Sequence, residues 1–354
     1  MRSDAKGTGQ LTRLFARVIV LERGGRKLAL VSEDLNGVAG GTLLDAANRD
    51  ADIGVSEQNV LDSASHTHAA EGGYFNFSTY NTVAPAPNSP TQLSVAFDPR
   101  LYGFLVERLA LAIRRDNANL GPAQLGWGHT ELLGVTENRS LEAHLANFGI
   151  QESPGTGNAG QDPGGYPGTV DPNVDVLRVD KLFAALPAVR HRVRCRTVCV
   201  RRRGRLIRVR RCGRARPRHR AGPSGNADHH GEAIRRTEDA LRGAGQVPGG
   251  QDIVDVYGNG DAGDMSAGLH QSGPAAADSV GRREADAFIA AWHQAGASMT
   301  ATPALDLGWT RLCFCGQTAD GMATPSSAAF GVPMLTGSEE GRGPLPAHRR
   351  QLRG

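Results

Sequence analysis

A stretch near the start of the chain decides how its fold begins. Residues 14–32 read Leu-Phe-Ala-Arg-Val-Ile-Val-Leu-Glu-Arg-Gly-Gly-Arg-Lys-Leu-Ala-Leu-Val-Ser. Both halves are rich in apolar and β-branched residues, which favour strands. The Gly24-Gly25 pair between them is typical of a two-residue hairpin turn, because glycine tolerates a positive φ. The pattern therefore predicts two strands joined by a tight turn.

Beyond this hairpin, short strands and amphipathic helices alternate along the chain. Asn59 opens a third short strand, and residues 101–115 place apolar side chains at helical spacing. Further predicted elements are a strand over residues 174–179, helices over 231–243 and 282–293, and a buried strand over 253–257. Since strands and helices alternate without a regular βαβ period, the sequence predicts a mixed α/β fold.

The composition is that of a folded chain. Of 354 residues, 39% are hydrophobic and 21% are charged, which excludes a wholly disordered protein. No run approaches the roughly 18 consecutive apolar residues of a membrane-spanning helix. Residues 1–7 contain no apolar stretch, so the sequence shows no signal peptide, and it leaves the compartment and the oligomeric state open.

The positive charge is concentrated in one segment. The formal net charge is +4, and 15 arginines without any carboxylate fall within residues 190–220, so the rest of the chain carries −11. Such a run would bind phosphates with a steep salt dependence, which makes binding of nucleic acid or another anionic surface an alternative function. The run lacks interleaved aromatic residues for base stacking, so no specific nucleic-acid partner is expected.

The sharpest chemical motif is His66-Thr67-His68, which follows the third strand. Residues i and i+2 of an extended chain point to the same side. The two imidazoles could then share one metal ion, or one could bind a metal while the other donates to a substrate oxygen. The alternative interpretation is a pair of half-exposed loop histidines.

Two further segments carry groups suited to a site. Ser266, after Gly263-Asp264-Met265, could present a reactive or substrate-orienting hydroxyl at a turn, and Arg139 could bind an oxyanion or a carboxylate. An ordinary turn and a surface arginine are the alternatives. The adjacent His229 and His230 are expected to point to different sides, which does not favour joint metal binding.

Taken in order, these segments resemble the neutral/alkaline non-lysosomal ceramidases. Residues 63–73 resemble that family's Ser-x-x-His-Thr-His-x-x-x-Gly-Gly segment, and 138–140 its Asn-Arg-Ser segment. Residues 263–266 resemble its Gly-Asp-Val-Ser segment, although Ala267 stands where the family usually has proline. The resemblance covers roughly residues 8–186 and 225–345.

The resemblance implies a zinc-dependent ceramidase, an amidohydrolase that cleaves ceramide or a related N-acyl lipid into sphingosine and a fatty acid. It implies that His66 is a zinc ligand and that His68 lies beside the scissile carbonyl and stabilises the oxyanion. It also implies that Arg139 lines the site, that Ser266 is required, and that the protein contacts a membrane surface. The family is typically secreted.

The chain divides into four parts, of which two depart from the family. Residues 1–186 are interpreted as the first part of a mixed-sheet catalytic domain, 187–224 as an aberrant or disordered arginine-rich segment, 225–345 as the continuation, and 346–354 as an unrelated tail. The family's second zinc-binding histidine should lie just before Asn226, within the arginine-rich segment, and its glutamate and tyrosine ligands beyond 345.

These departures lead to two further expectations. Residues 187–224 and 346–354 are rich in Arg, Pro, Gly and Ala, which we interpret as a GC-rich gene read in a shifted frame. A catalytic zinc needs three protein ligands and a water, and the resemblance supplies only His66. We therefore expect an incomplete catalytic domain with weak zinc binding and impaired activity.

Overall fold

A computed structural model describes residues 9–76, 81, 85–86, 89–93, 97–147, 169–182, 224–244, 253–260, 262–267, 273–319 and 321–326. Its helices are α1 (Gly40–Arg49), α2 (Pro99–Asn117), α3 (Leu141–Asn147), α4 (Asp228–Gly243) and α5 (Pro274–Ala295). Its strands are β1 (Gly9–Gln10), β2 (Ala16–Arg23), β3 (Arg26–Glu33), β4 (Val60–Ala64), β5 (Pro85–Ala86), β6 (Ser89–Leu93), β7 (Ala123–Glu131), β8 (Glu137–Asn138), β9 (Asn173–Lys181), β10 (Ser224–Gly225), β11 (Met265–Ser266), β12 (Thr318–Ala319) and β13 (Met322–Ala323). The predicted segments 187–224 and 346–354 lie outside the described residues, apart from Ser224.

The first three long strands form one sheet in the order β2-β3-β4. The predicted hairpin is confirmed: β2 runs antiparallel to β3, and Gly24 and Gly25 take φ values of 58° and 76° in the turn. Strand β4 runs parallel to β3, with Val31 opposite Asp62. The chain therefore crosses over through α1 between the two parallel strands.

The sheet is apolar on both faces. One face packs its alternate residues, such as Val18, Ala29 and Val31, against Leu109 and Ile113 of α2. Asp98 caps the start of helix α2: its carboxylate accepts hydrogen bonds from the backbone N–H groups of residues 100 and 101. The opposite face turns its own apolar side chains towards a cavity.

A second layer faces the first across that cavity. Strands β7 and β9 pair antiparallel, and helix α5 crosses them closely at two glycines, Gly126 and Gly128. A methyl group on Gly128 would overlap the carbonyl oxygen of Ala291 and approach the backbone nitrogen of Ala295. Helices α4 and α5 also meet closely, since a Cβ on Gly281 would lie 2.6 Å from the carbonyl oxygen of His229.

Most predicted elements are confirmed, and one is wrong. The segments predicted as helices and strands recur within α2, β9, α4 and α5. Residues 253–257, predicted as a buried strand, have no regular secondary structure. Their polar groups bond to side chains instead: Ser63 Oγ donates to the carbonyl oxygen of Tyr257, and the N–H of Asp255 donates to Glu238. An apolar run predicts burial, but a strand also requires a neighbouring strand, and no described strand pairs with this segment.

Within the described residues, every helix is too short or too polar to cross a membrane.

Replacing Gly128 tests the contact between β7 and α5. We expect Gly128→Ala to lower the free energy of unfolding by about 1–3 kcal/mol, because the new methyl group overlaps the helix backbone. Gly121→Ala is the matched control, since its Cβ has open space, and it should change stability by less than about 0.5 kcal/mol. Urea unfolding measures both, and equal stabilities of the two variants would contradict the close packing.

Buried carboxylates in the parallel strands make stability pH-dependent. Burial raises the pKa of Asp62 to about 7, and burial together with Asp62 raises the pKa of Glu33 well above its usual range. An acid whose folded-state pKa is raised destabilises the fold once it ionises. For Asp62, this loss in the free energy of unfolding is absent below the pKa of the unfolded chain, near 4. It grows up to about pH 7 and is constant above that pH.

We therefore expect Asp62→Asn to raise the free energy of unfolding by about 2 kcal/mol at pH 8 and to leave it nearly unchanged at pH 4. The exposed Asp286→Asn serves as control and should shift stability by less than about 0.5 kcal/mol at both pH values. Denaturant unfolding at the two pH values gives the answer. A gain that is equal at both would show that burial of the charge is not the cause.

Candidate active site

A large cavity separates the two layers of the fold. Its volume is about 1210 Å³. The face of the β2-β3-β4 sheet that turns away from α2 contributes Ile19, Leu28, Leu30 and Leu61. The opposite wall includes side chains one helical turn apart on α5, among them Val280, Glu284, Phe288 and Trp292. A cavity with mostly apolar walls and a few polar groups is the usual form of a small-molecule site.

All four residues predicted for the site line this one cavity: His66, His68, Arg139 and Ser266. They come from three segments separated by up to 200 residues of sequence, so only the fold brings them together. The imidazole rings of His66 and His68 lie edge to face, with centroids 4.9 Å apart.

The two histidines lie just beyond the strand rather than on it. Strand β4 ends at Ala64, and His66 takes a φ of 58°, in the left-handed region that non-glycine residues rarely enter. Thr67 between them is fully buried, and its hydroxyl donates to the carbonyl oxygen of Asn226 at 2.8 Å. The backbone N–H of Asn226 in turn donates to Ala69. The turn that presents both imidazoles is thus held against the start of α4.

The other two predicted segments are hydrogen-bonded to each other. Strand β8 pairs antiparallel with β11, so that Asn138 lies opposite Met265 and Glu137 opposite Ser266. The backbone N–H of Arg139 donates to Asp264, and its guanidinium donates to the carbonyl oxygen of Gly263 at 2.7 Å. This pairing fixes the direction of Arg139 relative to Ser266.

The electrostatics of the turn favour a neutral His68. Burial lowers the pKa of this imidazole, and the nearby His66 and Arg139 lower it further, against the opposing effect of Asp228. A neutral imidazole carries one N–H donor and one acceptor nitrogen.

A third group of polar residues lies in the same cavity wall and was not predicted as a unit. The Nδ1 atoms of His229 and His230 lie 3.1 and 3.2 Å from Oε1 of Glu284. The two rings have their centroids 3.9 Å apart, so the interpretation that these histidines point to different sides is wrong. Sequence reasoning noticed the histidine pair but missed Glu284, because a glutamate within a helix gives no local signal of its partners.

The charges within this group compensate each other. Burial raises the pKa of Glu284, but the adjacent His230 and His229 outweigh burial and lower it. Burial lowers the pKa of His229, and Glu284 outweighs that effect and raises it. His230 is more deeply buried, and its pKa is lowered. The buried carboxylate is therefore ionised.

Metal-binding capacity differs between the two histidine pairs. Of the residues that the structure describes, His229, His230 and Glu284 are the one group of three whose ligand atoms could hold a metal ion, and all those atoms lie within 4.8 Å of one another. Within the described ranges, His66 belongs to no such group. A metal at His66, as the resemblance implies, would need ligands from outside the described parts of the chain.

Comparison with known proteins finds relatives that are named neutral ceramidases. The neutral ceramidase of Mycobacterium tuberculosis is 24% identical over 364 residues, covering 97% of this chain and 50% of that protein. The neutral ceramidase of Pseudomonas aeruginosa is 31% identical over 180 residues, covering 49% of this chain and 23% of that protein. The chain thus spans half or less of the length of these curated relatives.

Solved structures show a related fold. The crystal structure of neutral ceramidase from Pseudomonas aeruginosa matches with a TM-score of 0.56 at 20% identity, covering 84% of this chain and 42% of that chain. A ceramidase complexed with C2 matches with a TM-score of 0.57 at 21% identity, covering 84% and 41%. At these identities the likeness concerns the fold alone.

The family model gives the assignment. Residues 2–185, more than half of the chain, match the model described as neutral/alkaline non-lysosomal ceramidase, N-terminal. The matched range contains His66, His68 and Arg139 but ends before Ser266. The chain therefore belongs to the neutral/alkaline non-lysosomal ceramidase family.

Proposed function

We propose that this chain carries catalytic residues of an amidohydrolase that cleaves the N-acyl amide of ceramide or a related lipid into sphingosine and a fatty acid. One observation carries the proposal: His66, His68, Arg139 and Ser266, which come from three separate segments, line a single cavity. The relatives named as neutral ceramidases and the structure of a ceramidase complexed with C2 support the substrate class.

The cavity suits such a substrate in chemistry. A lipid of this class joins long hydrocarbon chains through one polar amide, and the cavity combines apolar strand and helix side chains with a small set of polar groups. Since these lipids reside in membranes, contact of the protein with a membrane surface is part of the proposal.

The residues present can stabilise the charge that develops during amide hydrolysis. Attack of water on the carbonyl carbon places negative charge on the oxygen, and preorganised donors lower the energy of that state. We assign this role to the imidazole of His68 and to the guanidinium of Arg139, which Gly263 holds in place. The hydroxyl of Ser266, fixed by the β8–β11 pairing, would orient the substrate.

Zinc at His66 is a further part of the proposal, and the described residues do not complete such a site. A bound zinc would supply Lewis acidity and an activated water. Because the described residues around His66 offer no group of three ligands, we derive no step through the metal and propose that the activity is impaired. The arginine run at 190–220, on which the alternative of anion binding depends, lies outside the described residues.

Hydrolysis of a short-chain ceramide with excess protein tests the proposal. We expect slow release of fatty acid, measured by mass spectrometry, and a loss of about 10²–10³-fold in kcat/KM in His68→Ala, because one oxyanion donor is removed. His129→Gln is the matched control: this exposed histidine pairs with Asp175 and does not line the cavity.

The control should retain the rate of the wild-type chain. Absence of any release by excess protein would contradict the proposal. An equal rate in the wild type and in His68→Ala would also contradict it.

A further inference from the structure

We infer that His229, His230 and Glu284 form a binding site for one divalent transition-metal ion of the zinc class, separate from His66. The site lies in the wall of the cavity. The inference rests on the geometry of these three side chains and does not depend on the proposed function.

The distances from both histidines to Glu284 match metal coordination. Two ligand atoms of a tetrahedral zinc site, each about 2.0–2.1 Å from the ion, are separated by about 3.3 Å. The two Nδ1 atoms lie 3.1 and 3.2 Å from Oε1 of Glu284. Three protein ligands of the His/His/carboxylate type leave one tetrahedral position for water or an incoming ligand.

One ligand atom has a contact but no hydrogen bond. The Nδ1 of His230 is buried and lacks a hydrogen-bond partner, although Oε1 of Glu284 lies 3.2 Å away. The direction of that contact is thus unsuited to a hydrogen bond. Coordination to a metal would use the lone pair of this buried nitrogen, which the contact with Glu284 leaves without an aligned hydrogen bond.

Contacts on the far side of the ring hold the imidazole of His230 in place. The ring of Tyr257 stacks on it with centroids 4.4 Å apart, and the tyrosine hydroxyl lies 3.2 Å from Nε2. That hydroxyl donates to Asn259, which in turn donates to the carbonyl oxygen of Ala64. Metal-binding histidines typically use their second nitrogen in this way, which sets the tautomer and the direction of the ring.

All three proposed ligands lie in helices. His229 and His230 occupy the first turn of α4, and Glu284, 5% exposed, lies within α5. The two helices approach closely at Gly281, one turn before Glu284, and the carboxylate of Glu284 contacts both imidazoles. The carboxylate of Asp228, whose charge acts on both histidines, adds negative charge beside a bound cation.

A titration of the purified full chain with Co²⁺, after removal of metals by a chelator, tests the inference. We expect about one equivalent to bind with the visible absorption of a tetrahedral ion that has nitrogen and oxygen ligands. Loss of a residue that only hydrogen-bonds to a metal ligand typically weakens metal binding by roughly 10–100-fold, and we expect Tyr257→Phe to fall within that range. Glu284→Gln and His230→Gln each remove a ligand and should weaken binding by more than that.

Two controls separate this site from the turn at His66. His66→Gln and His129→Gln should bind Co²⁺ within about twofold of the wild type, since neither residue belongs to the group. Failure to bind any Co²⁺ would overturn the inference. Binding that survives in Glu284→Gln and disappears in His66→Gln would also overturn it, and would instead support the metal of the proposed function.

Thermal unfolding with and without Zn²⁺ provides a second readout if a variant folds poorly. Zn²⁺ in excess should raise the unfolding temperature of the wild type and of His66→Gln, because only the folded chain presents the site. The unfolding temperature of His230→Gln should not change. A rise of the same size in His230→Gln would contradict the assignment.

Discussion

The hydrogen bond from the hydroxyl of Thr67 to the carbonyl oxygen of Asn226 is the contact on which the rest of the site depends. It joins the turn after β4 to the start of α4, across 159 residues of sequence. Because Thr67 points into the protein, its two neighbours turn towards the cavity. The same bond places the start of α4, which carries His229 and His230, beside the turn that carries His66 and His68.

The cavity itself follows from a sheet that is apolar on both faces. Apolar residues occupy successive positions of β2 and β3, so one set packs on α2 while the other faces the second layer. A sheet of this kind needs cover on both sides. Here the second side faces the cavity of about 1210 Å³ that the described residues line.

Two histidine pairs in one cavity have different chemical capacities. The pair at His66 and His68 belongs to the segment matched by the family model, while the pair at His229 and His230 lies outside the matched range. Only the second pair has a buried carboxylate among its described neighbours that completes a set of three ligands. The residues in the family-matched range and the group of three possible metal ligands thus lie in different parts of the same cavity wall. A test of metal binding therefore needs variants at both places.

The sequence by itself determined the local elements and the list of candidate groups. The hairpin around Gly24-Gly25 and helix α2 followed from turn preference and apolar periodicity, because both depend on near neighbours. The order of the three segments also identified the family, which the family model confirmed. Only the tertiary structure decided that residues 253–257 form no strand and that Glu284 lies against His229 and His230. Strand pairing and side-chain clusters depend on contacts between distant segments, and a local pattern contains no information about which segments meet.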